Sequence, residues 1–241
     1  MNLTVSRIGG EDLDRVATVL EADPHLPCAY LPAASQAGLA AMQREALAHG
    51  AARDGAALLG LQADGAPVGV AFCEPLAFDS EHLGRPTGRV TALHVNAAWA
   101  LEEEGKAALL GACVEHARRQ GWQCMDLQTS LEDLASANAA SAKGFFLTAT
   151  NLGIVWELDK AIPEVPATRA EVARAEPADA QEVQTLAAGA VDRYSRFAMD
   201  PRLPRDAAPR VFAAWAGNSV RGYADLVHVA RLDGRIVGYC T

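Results

Sequence analysis

Apolar and polar positions along the chain recur with two different periods, and each change of period marks an element. Leu13, Val16 and Leu20 share one helix face, and Asp12 stands where it can accept from the free N–H groups of that helix's first turn. Leu58-Leu59-Gly60-Leu61 and Val68-Gly69-Val70-Ala71-Phe72 are apolar runs around Ala63-Asp64-Gly65, which predicts a β-hairpin. Further along, the pattern predicts a strand at Val90–Val95, a long helix over about Leu101–Gln120 and a strand at Cys124–Leu127. A helix around Leu134–Lys143 precedes Gly144-Phe145-Phe146, and a last strand is expected at Leu152–Leu158.

The opening pattern then returns. Val5-Ser6-Arg7 with Asp12 and Val16 matches Val172-Ala173-Arg174 with Asp179 and Val183, at an offset of 167 residues. Asp64-Gly65-Ala66-Pro67-Val68-Gly69 matches Asp233-Gly234-Arg235-Ile236-Val237-Gly238, at an offset of 169. Pro177 and Asp179 open the second helix ahead of Val183 and Leu186. A second hairpin, Leu226–Ala230 and Ile236–Cys240, flanks Asp233-Gly234. The chain therefore reads as a complete unit over 1–158, a linker over 159–168 with Pro163 and Pro166, and the first half of a second copy over 169–241. On this reading the strand Ile236–Thr241 lacks its expected neighbour. Such an edge joins the first unit's sheet, exchanges with a second chain in a homodimer, or belongs to a reading frame cut short.

Charge and composition narrow the function. Across 241 residues, 21 Lys+Arg face 30 Asp+Glu, a net charge of −9, which argues against nucleic acid as a partner. Neither a signal-peptide core nor an apolar run of membrane-spanning length is visible, so no membrane partner and a cytoplasmic location are expected. The five cysteines and six histidines are scattered without paired spacing, so neither a disulfide framework nor a metal site is expected.

The order strand–helix–hairpin–strand–helix–strand–helix–strand, with a Gly-bearing helix start and a late Gly-Phe, resembles the GNAT acyltransferases. Asp79-Ser80-Glu81-His82-Leu83-Gly84 and, in the second copy, Tyr194-Ser195-Arg196-Phe197-Ala198-Met199-Asp200-Pro201 followed by Trp215–Gly222 resemble tandem-domain sugar-amine acetyltransferases within that family. The resemblance implies an α/β fold: a mixed central sheet flanked by helices, in one complete copy and half of another. It also implies acetyl transfer from acetyl-CoA to a primary amine of a small molecule. Leu93 and Val95 would then face the thioester arm from the central strand, and Gly105, Lys106 and Ala107 would meet the pyrophosphate at a helix start.

The residues depart from that pattern in two places. Glu102, Glu103 and Glu104 stand where a pyrophosphate would lie and read as a solvated, dipole-stabilised first turn. Ala140 holds the position of the family's late Tyr acid. The alternative is a non-catalytic binding or dimerisation protein of the same fold. Outside the motif, His94 lies on the opposite strand face from Leu93 and Val95, and reads as a core histidine before a base. Glu74 reads as a loop carboxylate, Trp99 as a core or interface aromatic, and Arg196 as a salt-bridge partner. Lys106 either counters a phosphate or pairs with Glu102 one turn back. The catalytic residues are unassigned.

Overall fold

The structure is a computed structural model that describes residues 1–96, 101–157, 159–161, 164, 167–190 and 195–241. The chain divides into two compact units, Met1–Phe146 and Leu147–Thr241.

Unit 1 is a five-stranded mixed sheet in the order β1-β2-β3-β4-β5, formed by Leu3–Arg7, Ala57–Ala63, Ala66–Pro75, Thr87–Val95 and Cys124–Leu127. The first four strands are antiparallel and β5 is parallel to β4. Its helices are α1 (Ala17–Ala22), α2 (Gln36–Ala51), α3 (Ala77–Leu83), α4 (Glu102–Arg119) and α5 (Leu134–Ala142). Both sheet faces are covered, which is why β2 reads as a continuous apolar run rather than an alternating one. Leu58, Val70, Phe72 and Ala92 pack against Leu13, Val16, Leu20, Leu39 and Leu47 on the α1/α2 side. Leu59, Leu61, Ala71, Val90, Leu93 and Val95 pack against Leu109, Leu110 and Cys113 of α4.

Helix α2 is Ala-rich on all sides and has no clear apolar stripe in the sequence. Packing places it: Gly50 lies so close to Phe72 of β3 that a Cβ there would sit 2.6 Å from the ring. Ser35 caps its start by accepting from the Gly38 N–H.

Unit 2 has a three-stranded antiparallel sheet, β6 (Glu171–Arg174), β7 (His228–Leu232) and β8 (Arg235–Cys240), with helices α6 (Ala180–Gly189), α7 (Arg196–Met199) and α8 (Ala207–Asn218). Its opening repeats that of unit 1 in detail. The Gly9 N–H donates to Asp12 at 3.1 Å, and the Glu176 N–H donates to Asp179 at 2.9 Å, each starting a 3-10 turn. Both hairpins turn through a left-handed Asp-Gly pair, Asp64-Gly65 and Asp233-Gly234. Both also carry a bulge at the same place: Leu61 opposes Gly69 and Gln62 opposes Pro67, just as Ala230 opposes Gly238 and Arg231 opposes Ile236. Asp12→Ala and Asp179→Ala are each expected to cost about 1 kcal/mol in their own unit, seen as matched midpoint shifts in urea unfolding.

The strand expected at Leu152–Leu158 is not formed. Residues 147–157 carry no regular structure, Leu152 and Ile154 are 84% and 87% exposed, and Leu158 lies outside the described residues. An apolar run becomes a strand only when a ladder partner takes its N–H and C=O groups, and none among the described residues does. Pro163 and Pro166 of the expected linker also lie outside the described residues. Among those residues, no helix is long and apolar enough to cross a membrane.

Candidate functional site

Strand β4 pairs with β3 along its length, but with β5 only from Thr87–Cys124 to Val90–Leu127. From Thr91 to Val95 the edge of β4 that β5 abandons has no strand beside it among the described residues, so the sheet forks. Arg89 closes the root of the fork, with Nε and Nη2 each donating to an Asp126 oxygen at 2.9 Å. Burial works against the guanidinium charge, but the Asp126 bonds and charge outweigh it and hold the Arg89 proton more firmly than usual. At the fork Thr91 is an extra residue: Phe72 opposes Ala92 while Cys73 opposes Val90. This bulge exposes Thr91 and resets the alternation, so that Val90, Leu93 and Val95 share the α4 face while Ala92 and His94 take the other. A small cleft of about 50 Å³ opens there, bordered by Thr91–His94, the end of β5, His25, Asp133 and Ser136.

His94 is buried behind the cleft with both ring nitrogens engaged. Its Nδ1 lies 2.8 Å from Asp23 and its Nε2 lies 3.2 Å from the amide nitrogen of Gln43. Asp23, which follows α1, also accepts from the His25 N–H at 2.7 Å. Burial raises the cost of its charge, yet the bond and charge of His94 and the His25 N–H hold the carboxyl below the usual carboxylate range. An ionised Asp23 accepts a hydrogen bond from Nδ1–H, which leaves Nε2 to accept from Gln43. The chain Asp23–His94–Gln43 thus ties the α1 end and α2 to the central strand, and neither nitrogen is left over for chemistry.

Asp133, which borders the cleft, belongs to an ion cluster. Lys106, in the second turn of α4, has no exposed surface, and its ammonium donates to Glu102 at 2.8 Å and to Asp133 at 2.7 Å. Asp133 caps α5, accepting from the Ser136 N–H at 2.9 Å, the Ser136 hydroxyl at 2.6 Å and the Thr129 hydroxyl at 3.3 Å. Burial opposes both charges. The pair's mutual attraction prevails, holding Asp133 below and Lys106 above their ordinary ranges.

The other residues named from sequence fall as follows. Leu93 and Val95 are buried under α4, so toward the fork they can offer backbone groups alone. Gly105 and Ala107 lie within α4, and the Gly105 N–H already donates to the Leu101 carbonyl at 2.9 Å. Ala98, Trp99 and Ala100 lie outside the described residues, as does Tyr194. Glu74 is paired with Arg53. Ala140 packs in the α4-side core. Asp79–Gly84 builds α3 and its left-handed cap, and Ser80 accepts from the Thr87 N–H at 2.9 Å, which fixes the start of β4. In unit 2, Ser195 caps α7, Asp200 holds Arg202 through its backbone N–H and two guanidinium bonds, and Arg196 lies 4.1 Å above the Phe197 ring. Asp23, Gln43 and Asp133 were not legible as site residues. Asp133 before Leu134 is readable as a helix cap, but nothing in sequence joins it to Lys106. Among the described residues no His, Cys, Asp and Glu group could hold a metal ion.

No family model matches the chain. Over 69 residues it is 36% identical to the spore coat polysaccharide biosynthesis protein SpsD of Bacillus subtilis strain 168, a stretch that covers 29% of this chain and 24% of that protein. The matched stretch is thus about a quarter of that curated relative. Among solved structures, ribosomal-protein-alanine N-acetyltransferase from Brucella melitensis biovar Abortus 2308 is 16% identical, covering 65% of this chain and all of that one, with a TM-score of 0.46. The aminoglycoside N-acetyltransferase AAC(6')-Iy, in complex with a CoA-linked bisubstrate analogue, is 17% identical over 65% of this chain and 99% of its own, with the same TM-score of 0.46.

Proposed function

We propose that the chain is a relative of the GNAT N-acyltransferases, acting in the cytoplasm, whose first unit carries an acyl-transfer site for acetyl-CoA and a primary amine of a small molecule. The observation that supports this reading is the fork: β5 leaves β4 at Val90, while β4 runs on to Val95. A pantetheine arm carries amides, and an unpaired strand edge accepts such a group as it would another strand. On this reading the backbones of Leu93 and Val95 hold the arm and place the thioester carbonyl beside the cleft. The two units are read as copies of one module, in keeping with their shared caps, turns and bulges.

The residues present fit the arm and do not fit the phosphates. Glu102, Glu103 and Glu104 fill the first turn of α4, and the Lys106 ammonium is engaged by two carboxylates. No step is therefore drawn through the cofactor, whose chemical contribution when bound is an activated acetyl group. The test is thermal unfolding with acetyl-CoA, together with thiol release in the presence of glucosamine as the amine. A stabilising shift and amine-dependent release are expected; the absence of both would reject the reading.

A second reading, a non-catalytic binding or dimerisation protein, is favoured by Ala140 and by the acidic start of α4. In that reading the edge of β8 opposite β7, which has no strand beside it among the described residues, pairs with β8 of a second copy. Light scattering decides this: a dimer is expected, and a strict monomer would rule the pairing out.

A further inference from the structure

We infer that Glu102 and Asp133 stand in for cofactor phosphates in unit 1: they occupy Lys106, so that the unit reads an acyl donor by its pantetheine arm and not by its pyrophosphate. This rests on the acyl-transfer reading and says how the donor is recognised within it.

A lysine one turn into a helix that opens beside a sheet fork is placed to meet an anion arriving at the helix start. Here that anion is internal. Lys106 is fully buried, with Glu102 on its own helix and Asp133 on the next, each within 2.8 Å. Asp133 is fixed independently of the lysine by its bonds to Ser136 and Thr129, while Glu102 reaches the ammonium from one turn back on the same helix. The cluster carries one positive and two negative charges, so it repels a further anion rather than attracting one. Glu103, held by the Asn138 amide at 2.9 Å, and Glu104 extend the same sign along the turn. A ligand phosphate could reach Lys106 only by displacing a carboxylate already bonded to it, the partly exposed Glu102 or the buried Asp133.

The arrangement is tested by comparing acetyl-CoA, S-acetylpantetheine and inorganic pyrophosphate in calorimetry on the whole chain. The wild type is expected to bind acetyl-CoA and S-acetylpantetheine within about threefold of each other and to give no heat with pyrophosphate. Glu102→Gln/Asp133→Asn keeps an N-cap at α5 and releases the lysine; it should gain roughly tenfold for acetyl-CoA over S-acetylpantetheine and acquire pyrophosphate binding. Glu102→Gln alone, at a partly exposed residue, provides a variant that leaves α5 untouched and should show the same trend. A tenfold preference of the wild type for acetyl-CoA, or variants that gain nothing, would overturn the inference while leaving the fork reading intact. If no thioester binds but the variants acquire pyrophosphate, the acyl-transfer reading fails and the assignment of the two carboxylates stands. If nothing binds in any variant, both fall.

Discussion

Asp133→Ala is expected to destabilise unit 1 by about 3–5 kcal/mol, the range for removing one partner of a buried ion pair. Three losses coincide at that residue. Lys106 keeps only the quarter-exposed Glu102, helix α5 loses its cap, and the hydroxyls of Ser136 and Thr129 lose their acceptor. In a unit of this size the change should appear as a fall in melting temperature of roughly 10 °C, measured by calorimetry or circular dichroism. Lys106→Met/Asp133→Leu should recover most of the loss, because exchanging both partners removes the unpaired charge. The pH dependence has a definite sign. The lowered Asp133 carboxyl contributes stability above its unfolded range, near pH 4, and loses it as pH falls through its folded value. The raised Lys106 contributes stability below pH of about 10 and loses it as pH rises through its own folded value. The wild type should therefore outlast the Lys106→Met/Asp133→Leu variant across the neutral range and lose that advantage at both extremes. An equal response to pH in the two proteins would refute the ion-pair account.

Phe72→Ala is expected to cost about 3–5 kcal/mol, the range for emptying a buried aromatic site. Phe72 is 3% exposed and fills the space between β3 and the last turn of α2, where Gly50 leaves room for it. This contact joins those of Leu39, Leu47 and Gln43 in docking α2 on the sheet. Gly50→Leu alone should also destabilise, by about 1–3 kcal/mol, since its Cβ would overlap the ring. Combined with Phe72→Ala, the same leucine should restore part of the lost stability, since it enters the vacated volume. Additive losses in the double variant would show that the two residues do not share that space.

Much of this fold is legible in sequence because its signals are local. Asp64-Gly65 and Asp233-Gly234 fix hairpins by backbone conformation alone, and Asp12 and Asp179 each close a 3-10 turn by accepting from the N–H three residues back. The alternation that separates Leu93 and Val95 from His94 is equally local, and holds. What was not legible depends on distant partners. The apolar run from Leu152 looks like a strand, but among the described residues no neighbour bonds it. The link from Lys106 to Asp133 spans 27 residues and joins two helices that only the folded sheet brings together. Gln43 offers no signal at all, being a polar residue within an alanine-rich helix whose reason for burial is a histidine 51 positions away.

The extra residue at Thr91 gives β4 a property that neither of its neighbours determines. Upstream of it the strand is in one phase with the helices on either side, and downstream it is in the other. Val90 and Ala92 already oppose the adjacent residues Cys73 and Phe72, so a single-codon deletion of Thr91 would close the bulge and leave every downstream side chain on its present face. Leu93 would stay among the leucines of α4 and His94 against Asp23, while the irregular edge beside the cleft would be lost. The bulge beside the cleft is therefore held by residue count and not by side-chain identity, a trait that a deletion removes where a point substitution cannot.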